Sequence, residues 1–256
     1  MSSVADTIDF AFELADSAGE IARRYFRTPV DVSLKADASP VSIADKTIEQ
    51  TLLERIGAAF PTHGILGEET GSHHISRDYT WVIDPIDGTR AFLAGRPTFT
   101  TLIALCFQGT PILGIIDQPI TGERYIGAAG RPSMLHQRTL HTRHCPALSQ
   151  ATLATTSPAY FGTDTRAGFE QLQQACGDVI YGGDAYNYAQ LAAGFIDIVA
   201  EAGLKPYDVM ALRPIIEGAG GVITTWQGAA ITLNDYHTVI AAGNNELHQQ
   251  SCALLA

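Results

Sequence analysis

Apolar residues recur along this chain in two rhythms, and the rhythm changes more than once. From Val4 to Phe26 they return at helical spacing, with Ile8, Phe12, Leu14, Ala18, Ile21, Ala22 and Phe26 on one stripe. That pattern predicts a long first helix. "DVSLKADASPV" predicts a short strand and then a loop broken by Pro40. From Ser42 the helical rhythm returns through Ile43, Ile48, Leu52, Leu53 and Ile56, with Pro61 just beyond its end. "GILGEE" and "TWVIDP" predict short strands that run into acid. "TLIALCFQGTPILGIIDQPITGERYIGAAG" holds three β-rich runs with turn signals between them, an antiparallel meander, and "SMLHQR" is a candidate fourth strand. Beyond it, "ATLATTSP", "FIDIVAE" and "GGVITTW" predict strands. Helices are predicted over 165–175, 185–193 and 207–218, and "NNELHQQSCALL" as the last.

The order is helix-rich, then meander, then α/β alternation. It predicts one α/β unit, residues 1–256, of layered sheets and helices. A coarse boundary at "CPALSQ" separates a lobe at 1–145, with the acidic motifs and the meander, from an α/β lobe at 146–256.

Composition narrows the class. The chain has 256 residues, 46% hydrophobic and 17% charged, which is globular. A formal net charge of −11 argues against a nucleic-acid partner, which needs a basic face. It does not forbid a phosphorylated substrate with cations between protein and phosphate. The N-terminus lacks a signal-peptide pattern, and no run reaches the roughly 18 apolar residues of a membrane span. Four scattered cysteines without a C-x-x-C pair read as reduced thiols. The expectation is a cytoplasmic protein with no membrane partner.

The chemistry concentrates in acids at strand ends: Glu68 and Glu69 in "GEET", Asp84 and Asp87 in "DPIDGT", and Asp208 in "PYDVMAL". Asp-Pro and Asp-Gly are also ordinary turn dipeptides, and Asp208 could be a plain helix cap. Other details favour a site. Pro85 fixes the backbone between the two aspartates. Gly88 lets a backbone N–H approach a ligand closely. Thr89 adds a hydroxyl, and a helix after it would turn N–H groups toward an anion. Hard carboxylate oxygens beside anion donors suit Mg²⁺ shared with a phosphate. "HQRTLHTRHC" gathers His136, His141, His144 and Cys145 but fits no closed zinc spacing. Ser157 lacks a nucleophile elbow and reads as turn chemistry.

"GEE", "WVIDPIDGT" and "PYD", in that order, resemble the inositol monophosphatase family of Mg²⁺-dependent, lithium-sensitive phosphatases. "LKADASPVSIADKTIEQ" and "AGGVITTWQG" extend the resemblance over nearly the whole chain. It implies an αβαβα sandwich and a homodimer. It implies two or three Mg²⁺ ions: Glu68 and Asp84 with the Ile86 carbonyl on the first, Asp84, Asp87 and Asp208 on the second, and a third, weaker ion on Glu68 and water. Glu68 and Thr89 would activate the attacking water, and Gly88 and Thr89 N–H groups would hold the phosphate. Asp45 would accept from Thr89, with Lys35 and Glu69 in supporting positions. Asp87 and Glu201, with Asp184, Asn187 and Arg90 as further candidates, would face the substrate. Arg90 and Lys205 could equally be surface charges.

Within the family, "DGTRAFLAGRPTFTTLIAL", "GGDAYNYAQLAAGFIDIVAEAGLKPYDVMAL" and "RPIIEGAGGVITTW" most resemble the histidinol-phosphate phosphatase branch. Ala91 stands where the inositol branch usually has asparagine, and Tyr207 where it often has tryptophan. The implied activity is hydrolysis of histidinol phosphate, in histidine biosynthesis, by in-line attack of a metal-activated water. The alternatives are an inositol 1-phosphatase, a broader sugar or polyol phosphatase, and a metal-binding member without activity.

Overall fold

The structure, a computed structural model, describes residues 4–34 and 40–255. Lys35 lies outside the described residues. The chain opens with α1 (Val4–Tyr25), the paired β1 (Val32–Leu34) and β2 (Pro40–Ser42), and α2 (Ile43–Ala59). Next come β3 (Gly64–Gly67), β4 (Gly71–His73), β5 (Tyr79–Asp87) and the short α3 (Thr89–Leu93). The meander is β6 (Thr100–Phe107), β7 (Thr110–Gln118) and β8 (Glu123–Ala128), followed by the two-residue strands β9 (Met134–Leu135) and β10 (Arg138–Thr139). The second half runs β11 (Thr152–Thr155), α4 (Thr163–Ala175), β12 (Asp178–Tyr181), α5 (Tyr186–Ala192) and β13 (Ile198–Ala202). It ends with α6 (Pro206–Val209), α7 (Leu212–Gly218), β14 (Val222–Thr224), β15 (Thr238–Ala242) and α8 (Asn245–Leu255).

Two large sheets result. The first has eight strands in the order β10-β9-β8-β7-β6-β5-β3-β4, antiparallel except where β3 runs parallel to β5. The second has five in the order β12-β11-β13-β15-β14, with β11 parallel to both its neighbours. Side-chain alternation decides what each sheet covers. Trp81, Ile83, Ile103 and Leu105 pack against Leu14, Ala18, Ile48 and Leu52 of α1 and α2. Their neighbours Val82, Leu102 and Ala104 face the opposite way, into a core with Tyr188 and Leu191 of α5 and Leu212 and Ile215 of α7. Val199, Val239 and Ala241 of the second sheet close that same core from beyond. Leu153, Ile198 and Ile240 turn outward to Phe169 and Leu172 of α4 and Leu247 of α8. The layers are therefore helix, sheet, helix, sheet, helix.

Ser42 starts α2 with a reciprocal cap. Its hydroxyl accepts from Ala44 N at 3.1 Å, while Asp45 Oδ2 accepts from Ser42 N at 2.8 Å. Three features depart from the sequence-based expectation. The helix predicted over 207–218 is two pieces, because Pro214 has no N–H to give the Met210 carbonyl and its ring would crowd that carbonyl. Strand β12 went unread because it is a mostly exposed edge strand, and β15 because it is five residues long and ends in two alanines. "SMLHQR" forms only the small β9–β10 pairing. No described helix is long and apolar enough to cross a membrane.

Candidate active site

The site begins with a register fault at the end of β5. Asp84 pairs with Leu102 of β6, while Asp87 pairs with Thr100, so three steps on β5 match two on β6. Strict alternation would send Asp87 to the opposite face of the sheet from Asp84. One extra residue in the strand reverses that parity and returns both carboxylates to one side. Pro85 lies within the bulge and has no N–H to place in the ladder; its carbonyl accepts from Thr101 Oγ1 at 2.8 Å.

The third acid arrives from the other half of the chain. Asp208 lies in α6, where its Oδ2 accepts from Lys205 N at 2.7 Å. It caps a helix and also joins the cluster. Oxygen atoms of Asp84, Asp87 and Asp208 lie within 4.8 Å of one another, the one such grouping of possible metal ligands among the described residues. Burial pushes Asp84 well above the usual carboxylate range, and the charges of Glu68, Asp87 and Asp208 add to the shift. Burial does the same to Asp87, helped by Asp184 and Asp208. Asp208 rises to about 7, again chiefly through burial. Asp84 Oδ1 is buried with no hydrogen-bond partner. Crowded, desolvated carboxylates with an orphaned oxygen are what a divalent cation would satisfy, so the donor set fits Mg²⁺.

Glu68 follows β3, and its N–H donates to the Ile83 carbonyl at 3.2 Å. The turn carrying it is held by a residue that the sequence reading missed. Glu49 of α2 is fully buried and accepts from Glu69 N at 2.9 Å and from Thr70 N and Oγ1 at 2.7 Å each. Gly67 makes room for it, since a Cβ there would lie 2.4 Å from Glu49 Oε1. Helical spacing hid Glu49, because it looks like one more polar position on α2.

Gly88 has φ of +81°, and a Cβ on it would come within 2.8 Å of Asp184 Oδ2. Thr89 Oγ1 lies 3.3 Å from Asp45 Oδ1 and 3.1 Å from the Ile86 carbonyl oxygen. Asp45 is itself buried, and burial raises it above its ordinary value. The loop before α5 docks onto this turn, where Ala185 N donates to Asp87 Oδ2 at 2.6 Å. Asp184, in that loop, holds an uncommon left-handed conformation with φ of +47°.

A cavity of about 550 Å³ opens over the acids, lined by Glu68, Asp87, Asp184, Tyr188, Glu201 and Asp208 among others. Glu201, in β13, is buried, and its Oε1 accepts from Thr156 N at 2.7 Å and Thr156 Oγ1 at 2.8 Å. Burial raises it to about 8 and Asp184 to about 6. Arg90 and Lys205 also line this cavity. Asn187 departs from expectation: its amide donates to the Gly182 carbonyl at 2.9 Å, and the lining residues do not include it. It shapes the Asp184 loop instead of facing the cavity. Ser157 caps a short 3-10 turn by accepting from Ala159 N.

Residues 3–256 match the model of the inositol monophosphatase family. The chain belongs to that family. This inositol monophosphatase family member is 47% identical over 247 residues to a chloroplastic bifunctional phosphatase, IMPL2, of Arabidopsis thaliana, across 93% of this chain and 71% of that one. It is 32% identical over 239 residues to a histidinol-phosphatase of Chlorobaculum parvum, across 93% and 92%. Among solved structures, an inositol monophosphatase from Zymomonas mobilis superposes with a TM-score of 0.91 at 44% identity, covering 100% of this chain and 99% of that one. The layered α/β fold is the family's, and the chain is a phosphatase of that family.

Proposed function

We propose that this protein is a Mg²⁺-dependent phosphomonoesterase acting on histidinol phosphate. The observation that carries the proposal is one cavity with two kinds of acid. Asp87 and Asp208 line its floor, grouped with the buried Asp84, while Glu201 and Asp184 stand in its wall. The floor suits a divalent cation, and the wall suits an alcohol bearing an ammonium group and an imidazole, through charge-assisted hydrogen bonds. The ligands come from both sides of residue 145, so the catalytic unit is the whole chain.

Glu68, Asp84, Asp87, Asp208 and the Ile86 carbonyl would hold the ions, two or three in number. Bound Mg²⁺ would neutralise these acids, make a water more acidic and offset charge building on the phosphoryl oxygens. Glu68 accepts the proton of the attacking water. The Thr89 hydroxyl, lying between Asp45 and Ile86, helps aim that water. Backbone N–H groups of Gly88 and Thr89 hold the phosphoryl oxygens where the chain has no side chain to block them. Water is the nucleophile, so no bond forms between phosphorus and the protein; it attacks in line with the leaving alkoxide, which takes up a proton from solvent as it departs. Glu201, held by Thr156, and Asp184 orient the alcohol. The protein works inside the cell, as a homodimer with a small phosphorylated substrate.

The experiment is a substrate panel on the Mg²⁺-loaded protein. Phosphate release from histidinol phosphate is expected to exceed that from inositol 1-phosphate and simple polyol phosphates by at least about tenfold in kcat/KM. Equal rates would overturn the substrate assignment. Inositol 1-phosphate is the second reading, favoured by the 44% identity to the Zymomonas enzyme.

A further inference from the structure

A second cavity of about 320 Å³ adjoins the first, and its chemistry differs. The two share Glu68, Arg90, Thr156, Tyr160 and Asp184 as a common wall. The second adds Gly88 and Thr89 on its inner side and Arg96 on its rim. Arg90 and Arg96 are both exposed.

Their guanidinium groups make no hydrogen bond or ion pair with a described residue, a state they share with Arg131 and Arg138, which line neither of these two cavities. Arg24, Arg55, Arg124, Arg143 and Arg213 are paired to carboxylates. Arg23, Arg77 and Arg166 donate to backbone carbonyls. The backbone beneath Arg90 and Arg96 is nevertheless fixed. Ala94 N donates to the Arg90 carbonyl at 3.0 Å, and Arg96 N to the Ala91 carbonyl at 2.9 Å. Gly95 between them is clamped by Arg27, whose Nε and Nη2 donate to its carbonyl at 3.0 and 2.9 Å. Arg27 brings a third positive charge to this turn with no ion pair to a carboxylate among the described residues. Anchored backbone under unpaired guanidiniums is an arrangement suited to receiving an anion.

The need for such a device follows from the protein's charge. The net charge is −11, and the inner cavity is walled by carboxylates. A phosphate dianion approaching that field is repelled until it reaches the cations within. We infer that Arg90 and Arg96 form an outer anion site that captures the dianionic phosphate group before it passes to the Gly88–Thr89 turn. The site also receives inorganic phosphate leaving by the same route. This inference rests on the phosphatase reading for its place in turnover, but the site binds phosphate whether or not an ester is cleaved. Cations at a cleft mouth raise association rates by roughly 10–10³-fold, and salt erases the gain.

The test uses the full-length, Mg²⁺-loaded protein. Replacing both residues, Arg90→Gln with Arg96→Gln, is expected to lower kcat/KM for histidinol phosphate about tenfold at low ionic strength. The deficit is expected to shrink to about twofold near 0.3 M salt. Arg90→Lys with Arg96→Lys should recover most of the loss, because capture needs charge more than a fork. Arg131→Gln, at an exposed arginine that lines neither cavity, should leave kcat/KM and its salt dependence unchanged. Calorimetric titration with inorganic phosphate gives the readout without turnover. Two phosphates should bind to the wild type and one to the Gln double variant. A single phosphate in both proteins, or a loss in kcat/KM that salt does not reduce, overturns the outer site. Should the wild type cleave no ester yet bind two phosphates in an arginine-dependent way, the proposed function fails and the outer site stands.

Discussion

The two sides of the cavity are built in different ways. On the proposed reading, the phosphate side centres on one short stretch, Asp84 to Thr89, stiffened by a bulge, a proline and a left-handed glycine, with Glu68 and Asp208 brought to it from elsewhere. The alcohol side comes from three separate places in the second half: Thr156 after β11, Asp184 before α5 and Glu201 in β13. The proposed function puts the chemistry common to every phosphate ester on the stiff side. It puts the chemistry that distinguishes one ester from another on the assembled side. Damage to the first should lower turnover of all substrates alike, and damage to the second should change their ratio.

The largest test of that division is on the floor. Asp84→Asn is expected to lower kcat by roughly 10³-fold for every ester, and chelation of Mg²⁺ should do the same reversibly. The same substitution should raise the melting temperature of the metal-free protein, because it relieves a buried, repelling carboxylate. Thermal unfolding with and without chelator checks both signs. A fall confined to one ester would break the comparison.

Next is the clamp under Glu68. Glu49→Gln puts an N–H₂ donor where Glu49 now accepts from backbone N–H groups. A loss of about 10–100-fold in kcat, uniform across substrates, is expected, as for groups that orient metal ligands. Steady-state kinetics on two esters would show it.

On the alcohol side, Glu201→Gln keeps an oxygen for Thr156 and removes the ability to become a carboxylate against a substrate ammonium group. The kcat/KM for histidinol phosphate should fall about tenfold relative to that for inositol 1-phosphate. An equal loss on both would show that the two walls do not act separately.

The smallest effect is on stability. Burial holds Glu201 at about 8, against an ordinary 4.5. The folded, ligand-free protein keeps this proton at neutral pH while the unfolded chain gives it up. The stability contributed is therefore complete below the ordinary value and is lost as pH rises toward 8. Relative to Glu201→Gln, wild type should weaken across that window, by at most about 1.4 kcal/mol per pH unit. Urea unfolding of both metal-free proteins at several pH values measures the gap.

The same division separates what the sequence makes legible from what it hides. Asp84, Asp87, Gly88 and Thr89 announce themselves because neighbours in sequence are neighbours in space. The helical stripes of α1 and α2 and the β6–β8 meander are legible for the same local reason. Glu201 and Asp184 entered only through family likeness, since nothing within β13 or its flanks tells a buried acid from a strand-end charge. Glu49 escaped altogether, because its partners, Glu69 and Thr70, lie across a turn and strand from it. Asn187 was misplaced because its bond to Gly182 closes a loop whose shape depends on positive φ at Gly182, Gly183 and Asp184. The helix predicted over 207–218 ran through Pro214 because its apolar rhythm continues on both sides of that residue.

The extra residue in β5 also makes the motif a measure of length. Deleting Ile86 would leave both aspartates in the sequence, with proline, glycine and threonine still in order. It would also erase the bulge and set Asp84 and Asp87 two positions apart in a regular strand, where both again share a face. The loss would be elsewhere: the carbonyl that meets the Thr89 hydroxyl would be gone, and the Gly88 turn would be drawn one strand step, roughly 3.3 Å, away from Asp184 and Asp45. A homologous sequence with a shortened spacing could therefore keep every acid and still have no phosphate cradle.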